Sequence, residues 1–218
     1  MTTPNEPRAR SARPIVLAGV ASFLAVIGAV YVIGLPGGNS PAGESCKASL
    51  ETAATLKDLA TGEVAAFLPA QKPLSLADLS FDAPDGSKVS IGDMKGKTLL
   101  VNLWATWCAP CRKEMPALDD LQKQLGGAEF EVVAVNLDRG GPDKPKAFLE
   151  EIGVTNLAYY SDATNKVFNE LRTKARATGL PTTLLVSEEG CELGTLYGPA
   201  EWASPDAKAL ITAARPKG

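Results

Sequence analysis

The chain has 218 residues, 22 Lys plus Arg against 25 Asp plus Glu for a formal charge of −3, four cysteines and no histidine. That length supports one well-filled domain with appendages, and the basic residues are too scattered to suit nucleic acid as a partner. The missing histidine removes the commonest metal ligand and the usual base for a nucleophile, which excludes a histidine-ligated zinc or copper site and a Cys-His protease; Arg112 after Cys111 excludes covalent haem attachment.

In chain order, residues 1–14 form a polar tail with Arg8, Arg10 and Arg13, and Ile15 to Leu35 then runs without a charge. As a helix this run would be about 31 Å long, enough to cross a bilayer. The arginines predict a cytoplasmic tail, a single retained span at 15–35 and everything after it outside; a cleaved signal peptide, with its shorter apolar region and small-residue cleavage site, is the alternative. Either reading delivers the remainder to a compartment where disulfides persist. Residues 36–45, rich in Pro, Gly and Ser, read as a flexible linker.

From Cys46 to Phe67 apolar residues recur at helical spacing, predicting one extra amphipathic helix within 46–70, with Ser45 and Ser49 as caps. The domain proper is expected over 71–216. "LSFDAPDGSKVSIGDM" reads as a hairpin about Pro-Asp-Gly, and "KTLLVNLWAT" as a strand buried on both faces. "CAPCRKEMPALDDLQKQL" is helical, with Pro116 inside it as a kink, and "EFEVVAVNLD" is a second buried strand. A helix at 144–152, a short strand at "LAYYSD", a helix at 164–175, two strands about the Glu-Glu-Gly turn and a helix at 205–214 complete an α/β fold with a mixed sheet flanked by helices.

Cys108 and Cys111 stand where the buried strand meets the helix. A sulfur at a helix amino terminus meets free N–H groups and the positive end of the dipole, which stabilise a thiolate, and Arg112 and Lys113 add positive charge nearby. Cys108 is thus the nucleophile and Cys111, one turn on, the group that resolves a mixed disulfide. Half of a zinc site is the competing reading; it would need Cys46 and Cys191 as the other ligands.

On "VNLWATWCAPCRKEMP", on "GLPTTLLV" and on "DRGGPDKPKAFLEEIGVTNLAYY" between them, the chain resembles the thioredoxin superfamily, and within it the membrane-tethered TlpA-like group that includes the ResA and CcmG kind. The resemblance covers about 74–214 and implies a thioredoxin-like fold. It implies that Pro181 is the cis-proline facing the cysteine pair, and that Glu114 is a carboxylate near the site able to handle protons during exchange. Trp107, Ala109, Pro110 and Leu180 are implied as substrate contacts, with Trp104 in the core. Where thioredoxin has a buried aspartate this chain has Asn102, which cannot relay a proton and leaves that role to Glu114. A structural bridge from Cys46 to Cys191 would staple the extra helix to the sheet, and the TlpA-like group is similar in having a second cysteine pair; two separate thiols are the alternative.

The resemblance implies a reductant of cysteine pairs, anchored by one span in the bacterial inner membrane with its domain in the periplasm and fed by a membrane electron donor of the DsbD or CcdA type. Its expected partners are a copper chaperone or cytochrome oxidase subunit during copper-site assembly, or apocytochrome c. A copper-binding chaperone is the reading of another class, disfavoured because Sco-type copper sites need a histidine. No small-molecule cofactor or metal is implied.

Overall fold

The computed structural model of the protein describes residues 45–216. The predicted tail 1–14, the span 15–35 and all but the end of the linker 36–45 lie outside them. Among the described residues no helix is long and apolar enough to cross a membrane.

The elements in chain order are α1 (Ser49–Leu56), β1 (Leu68–Pro69), β2 (Ser80–Asp82), β3 (Lys88–Ser90), β4 (Thr98–Trp104), α2 (Ala109–Leu125), β5 (Phe130–Asn136), α3 (Asp143–Glu151), β6 (Tyr160–Ser161), α4 (Lys166–Thr173), β7 (Thr182–Val186), β8 (Glu192–Tyr197) and α5 (Pro205–Ala214). The strands form one mixed sheet in the order β1-β8-β7-β4-β5-β6-β2-β3. β4, β5 and β6 run parallel, and β7, β8 and the β2–β3 hairpin pair antiparallel. Parallel neighbours need a crossover helix, which α2 supplies between β4 and β5.

Period-two alternation sorts the β4 side chains onto two faces. Leu100 and Trp104 join Met115, Leu118 and Leu121 of α2 and Leu210 and Ile211 of α5 on one face. Leu99, Val101 and Leu103 pack on the other with Phe81, Ile91, Val167 and Leu171. Asn102 therefore falls between Leu100 and Trp104 on the α2 side, a buried polar residue in an otherwise apolar strand.

The extra helix is shorter than its spacing predicts. After Leu56 the chain passes through single 3-10 turns at Lys57–Leu59 and Gly62–Val64 rather than continuing to Phe67. Ala60 leaves helical geometry at ψ 72° and Gly62 takes φ 51°, a left-handed conformation that glycine adopts freely. The break lets the chain fold back so that Leu56, Val64 and Phe67 all reach one core, while the Thr61 hydroxyl donates to Asp206 of α5 at 3.2 Å. Helical spacing was a property of the buried positions, not of one continuous helix. Ser49 is not a cap: it is the buried first residue of α1, and Ala48 stands at the N-cap without a side-chain bond. Nor is 46–70 separate from the domain, because β1 pairs with β8 (Leu68 with Thr195, Pro69 with Gly194). The other predicted elements match to within two residues, except the short strand expected at 157–162, of which only Tyr160–Ser161 is extended and paired, and α2 runs on through Pro116.

Candidate active site

β4 ends at Trp104, and the chain turns through Ala105 to Trp107 into α2. The turn is held by Asp138, just past the end of β5. Its carboxylate accepts from the Thr106 N–H at 2.8 Å and the Thr106 hydroxyl at 2.7 Å, and Asn136 Nδ2 donates to it at 2.8 Å. Against the upward push of burial, the bonds from Thr106 and Asn136 and the charge of Lys144 hold the Asp138 carboxyl below its ordinary pKa. The motif reading missed this clamp; a lone Asp two residues past a buried strand carries no signal until the two loops meet.

Cys108 is the N-cap of α2. The Cys111 N–H donates to its Sγ at 3.3 Å, so the sulfur receives one of the orphan donors that every helix start leaves free. Cys108 is 6% exposed and Cys111 fully buried, and the two are joined as a disulfide with Cα atoms 5.3 Å apart. Ala109 and Pro110 between them are exposed, and Trp107 is 66% exposed, while Trp104 is buried and meets the Phe148 ring of α3 at 6.1 Å. The Arg112 guanidinium lies 5.0 Å over the other partner of that pair, Phe148.

Pro181 is buried, and the Leu180–Pro181 peptide bond is cis. Thr182, the next residue, pairs with Leu103 near the end of β4, so the proline lies beside the strand's exit into the cysteine turn. Leu180 is half-buried at the same edge. The structure thus brings Cys108, Cys111, Trp107, Ala109, Pro110, Leu180 and Pro181 to one end of the sheet.

Glu114, one turn beyond Cys111 on α2, is 3% exposed. Asn102 Nδ2 donates to its Oε1 at 2.8 Å, and the Ala200 N–H and Trp202 Nε1 donate to its Oε2 at 3.2 and 3.3 Å. Burial raises its pKa to about 7, with these three bonds pulling the other way. A carboxyl that titrates near neutrality inside a fold can give and take a proton at working pH. Asn102 also donates to the Thr183 hydroxyl at 2.9 Å, so the residue that cannot relay a proton holds the one that can. The sequence reading did not find Trp202; its signal was a lone tryptophan ahead of a Ser-Pro-Asp helix start, whose buried N–H would need an acceptor.

Cys46 and Cys191, both 1% exposed, are joined with Cα atoms 5.5 Å apart. Pairing them with each other leaves no zinc set with Cys108 and Cys111, and among the described residues no other group of three or more His, Cys, Asp or Glu is placed to hold a metal.

The Redoxin family model matches residues 68–211. The thioredoxin-like protein YneN of Bacillus subtilis is 35% identical over 116 residues, covering 52% of this chain and 64% of that protein. The thiol-disulfide oxidoreductase ResA of Bacillus cereus is 32% identical over 118 residues, covering 52% of this chain and 62% of its own length. The chain therefore spans a little under two thirds of the length of these two curated relatives. Among solved structures, a thiol:disulfide interchange protein of Chlorobium tepidum superposes with a TM-score of 0.54 at 25% identity, over 66% of this chain and 98% of that one. The sheet order, the disulfide at a helix start and the family match together place the chain in the Redoxin family of the thioredoxin superfamily, with relatives named as ResA thiol-disulfide oxidoreductases.

Proposed function

We propose that the protein is a thiol:disulfide oxidoreductase that reduces cysteine pairs in partner proteins. The observation that carries this reading is Cys108 at the N-cap of α2, its sulfur accepting a backbone N–H beside the exposed Trp107. In the reduced protein the Cys108 thiolate attacks one sulfur of a partner disulfide. The other partner sulfur leaves as a thiolate and takes up a proton. The Cys111 thiol then gives its proton to the Glu114 carboxylate and attacks Cys108 Sγ, releasing the second partner sulfur as a thiolate and closing the Cys108–Cys111 disulfide. Two electrons pass to the partner, so the cycle needs a dithiol donor to open that disulfide again.

That donor, in this reading, is a membrane carrier of the DsbD or CcdA type. The protein is held by a single span at 15–35 in the bacterial inner membrane, with its domain in the periplasm. Its targets are the cysteine pairs of a copper chaperone or cytochrome oxidase subunit during copper-site assembly. The extra amino-terminal helix and second cysteine pair support this over apocytochrome c.

The reduction potential of the purified chain, equilibrated against dithiothreitol or glutathione and followed by tryptophan fluorescence, tests the direction of electron flow. A value near about −270 mV, as in thioredoxin, is expected. A value near about −120 mV would make the protein an oxidant and overturn the reductase reading.

A further inference from the structure

Trp202 lies between β8 and α5, far along the chain from the cysteine pair, and its side chain is fully buried. A buried indole N–H needs an acceptor, and its acceptor is Glu114 Oε2 at 3.3 Å. The Ala200 N–H reaches the same oxygen at 3.2 Å and Asn102 Nδ2 the other at 2.8 Å. All three are donors, so they favour the ionised carboxylate, which only accepts, over the neutral acid.

The segment carrying two of these donors is fixed at both ends. The Gly198 N–H donates to the Pro181 carbonyl at 3.0 Å, and Ser204 caps α5 by accepting from the Ala207 N–H at 3.2 Å. α5 is in turn tied to the turn after α1 through Thr61 and Asp206. Donors on so constrained a segment hold the carboxyl in one place.

We propose that Trp202 is a positioning residue for Glu114, holding its carboxyl through the indole N–H on the helix that carries Cys111. The geometry stands by itself; its kinetic consequence rests on the thiol:disulfide reading above. Burial and the three hydrogen bonds account for the titration of Glu114 near 7, with no ionic partner among the causes. β4 faces it with neutral Asn102 and β7 with neutral Thr183, which bonds Asn102. Glu201 in the facing segment and Arg112 and Lys113 on its own helix are exposed. The thiols of Cys108 and Cys111, once reduced, are the other nearby groups that titrate.

The first experiment uses the intact oxidised chain labelled with ¹⁵N in the tryptophan indoles. The Trp202 Nε1–H resonance should move with pH through a midpoint near 7, and that movement should vanish in Glu114→Gln. A resonance that does not respond between pH 5 and 9 overturns the proposal. The second uses Trp202→Phe, which keeps a ring and removes the donor. Losing one hydrogen bond to the ionised form should raise the Glu114 midpoint, read by ¹³C carboxyl resonance, by about half to one pH unit. The pH profile of exchange should shift with it, and Trp202→Phe in a Glu114→Gln background should shift nothing further. Slower exchange with an unmoved midpoint would mean a packing role only and would also overturn it. Both midpoints are read without substrate, so a wild-type protein lacking exchange activity would defeat the functional reading and leave this one standing or falling by itself.

Discussion

Each residue at the cysteine end of the sheet has one physical job that a substitution can isolate. Cys108→Ser removes the nucleophile and should abolish disulfide reduction, whereas Cys111→Ser leaves attack intact and should accumulate mixed disulfides with a partner, visible as a reducible adduct by mass. Trp107 is exposed, so Trp107→Ala should alter stability by no more than about 0.5 kcal/mol, while slowing reduction of protein disulfides more than that of a small disulfide. Glu114 makes a pH prediction whose sign follows from linkage. Its pKa is raised from 4.5 unfolded to about 7 folded, so between those values the folded state binds the extra proton. The Glu114 contribution to stability is then full below about pH 4.5 and falls as pH rises through the window, by on the order of 3 kcal/mol. Glu114→Gln should flatten that slope in denaturant titrations of the oxidised protein. Retention of the wild-type slope would assign it to another group.

At the level of elements, the molecule depends on how its amino-terminal segment is bound to the sheet. The Cys46–Cys191 link closes a sequence separation of 145 residues and ties the start of the chain's described part to β8. Replacing both cysteines by serine should cost about 2–5 kcal/mol in guanidinium unfolding. Both sulfurs are buried, so mild reduction should leave this pair unmodified while Cys108 alkylates. Gly194 reports on the same contact from the other side. A Cβ there would collide with the Phe67 ring and lie 2.7 Å from the Leu68 carbonyl, so Gly194→Ala must push β1 away from β8. A loss of about 1–3 kcal/mol is expected, and a neutral substitution would show that β1 yields without cost. The shorter extra helix is also explained here. Its apolar positions recur at helical spacing because one core has to be met repeatedly, and a chain that turns at Ala60 and Gly62 meets it as well as a straight helix would.

For the molecule as a whole, the sheet order brings together residues that are distant in sequence: Glu114 on α2, Asn102 on β4, and Ala200 and Trp202 after β8. The strands from β2 to β8, the main helices and the cysteine pair were legible in the sequence, because each rests on local physics, whereas β1 was hidden inside the helical spacing of 46–70. "TLLVNLW" is the near-continuous apolar run expected of a strand buried on both faces, and a cysteine at a strand-to-helix junction sits beside the helix's free N–H groups. Glu114 could be named from its place in the motif, but a helix glutamate is ordinarily solvated, and nothing local shows that this one is buried. Its neutral pKa, the donors that hold it, the Asp138 clamp on the cysteine turn and the break in the amino-terminal helix were decided by tertiary structure alone. Burial and hydrogen bonding depend on which distant segments close over a group, and the chain makes that choice only when the sheet is assembled.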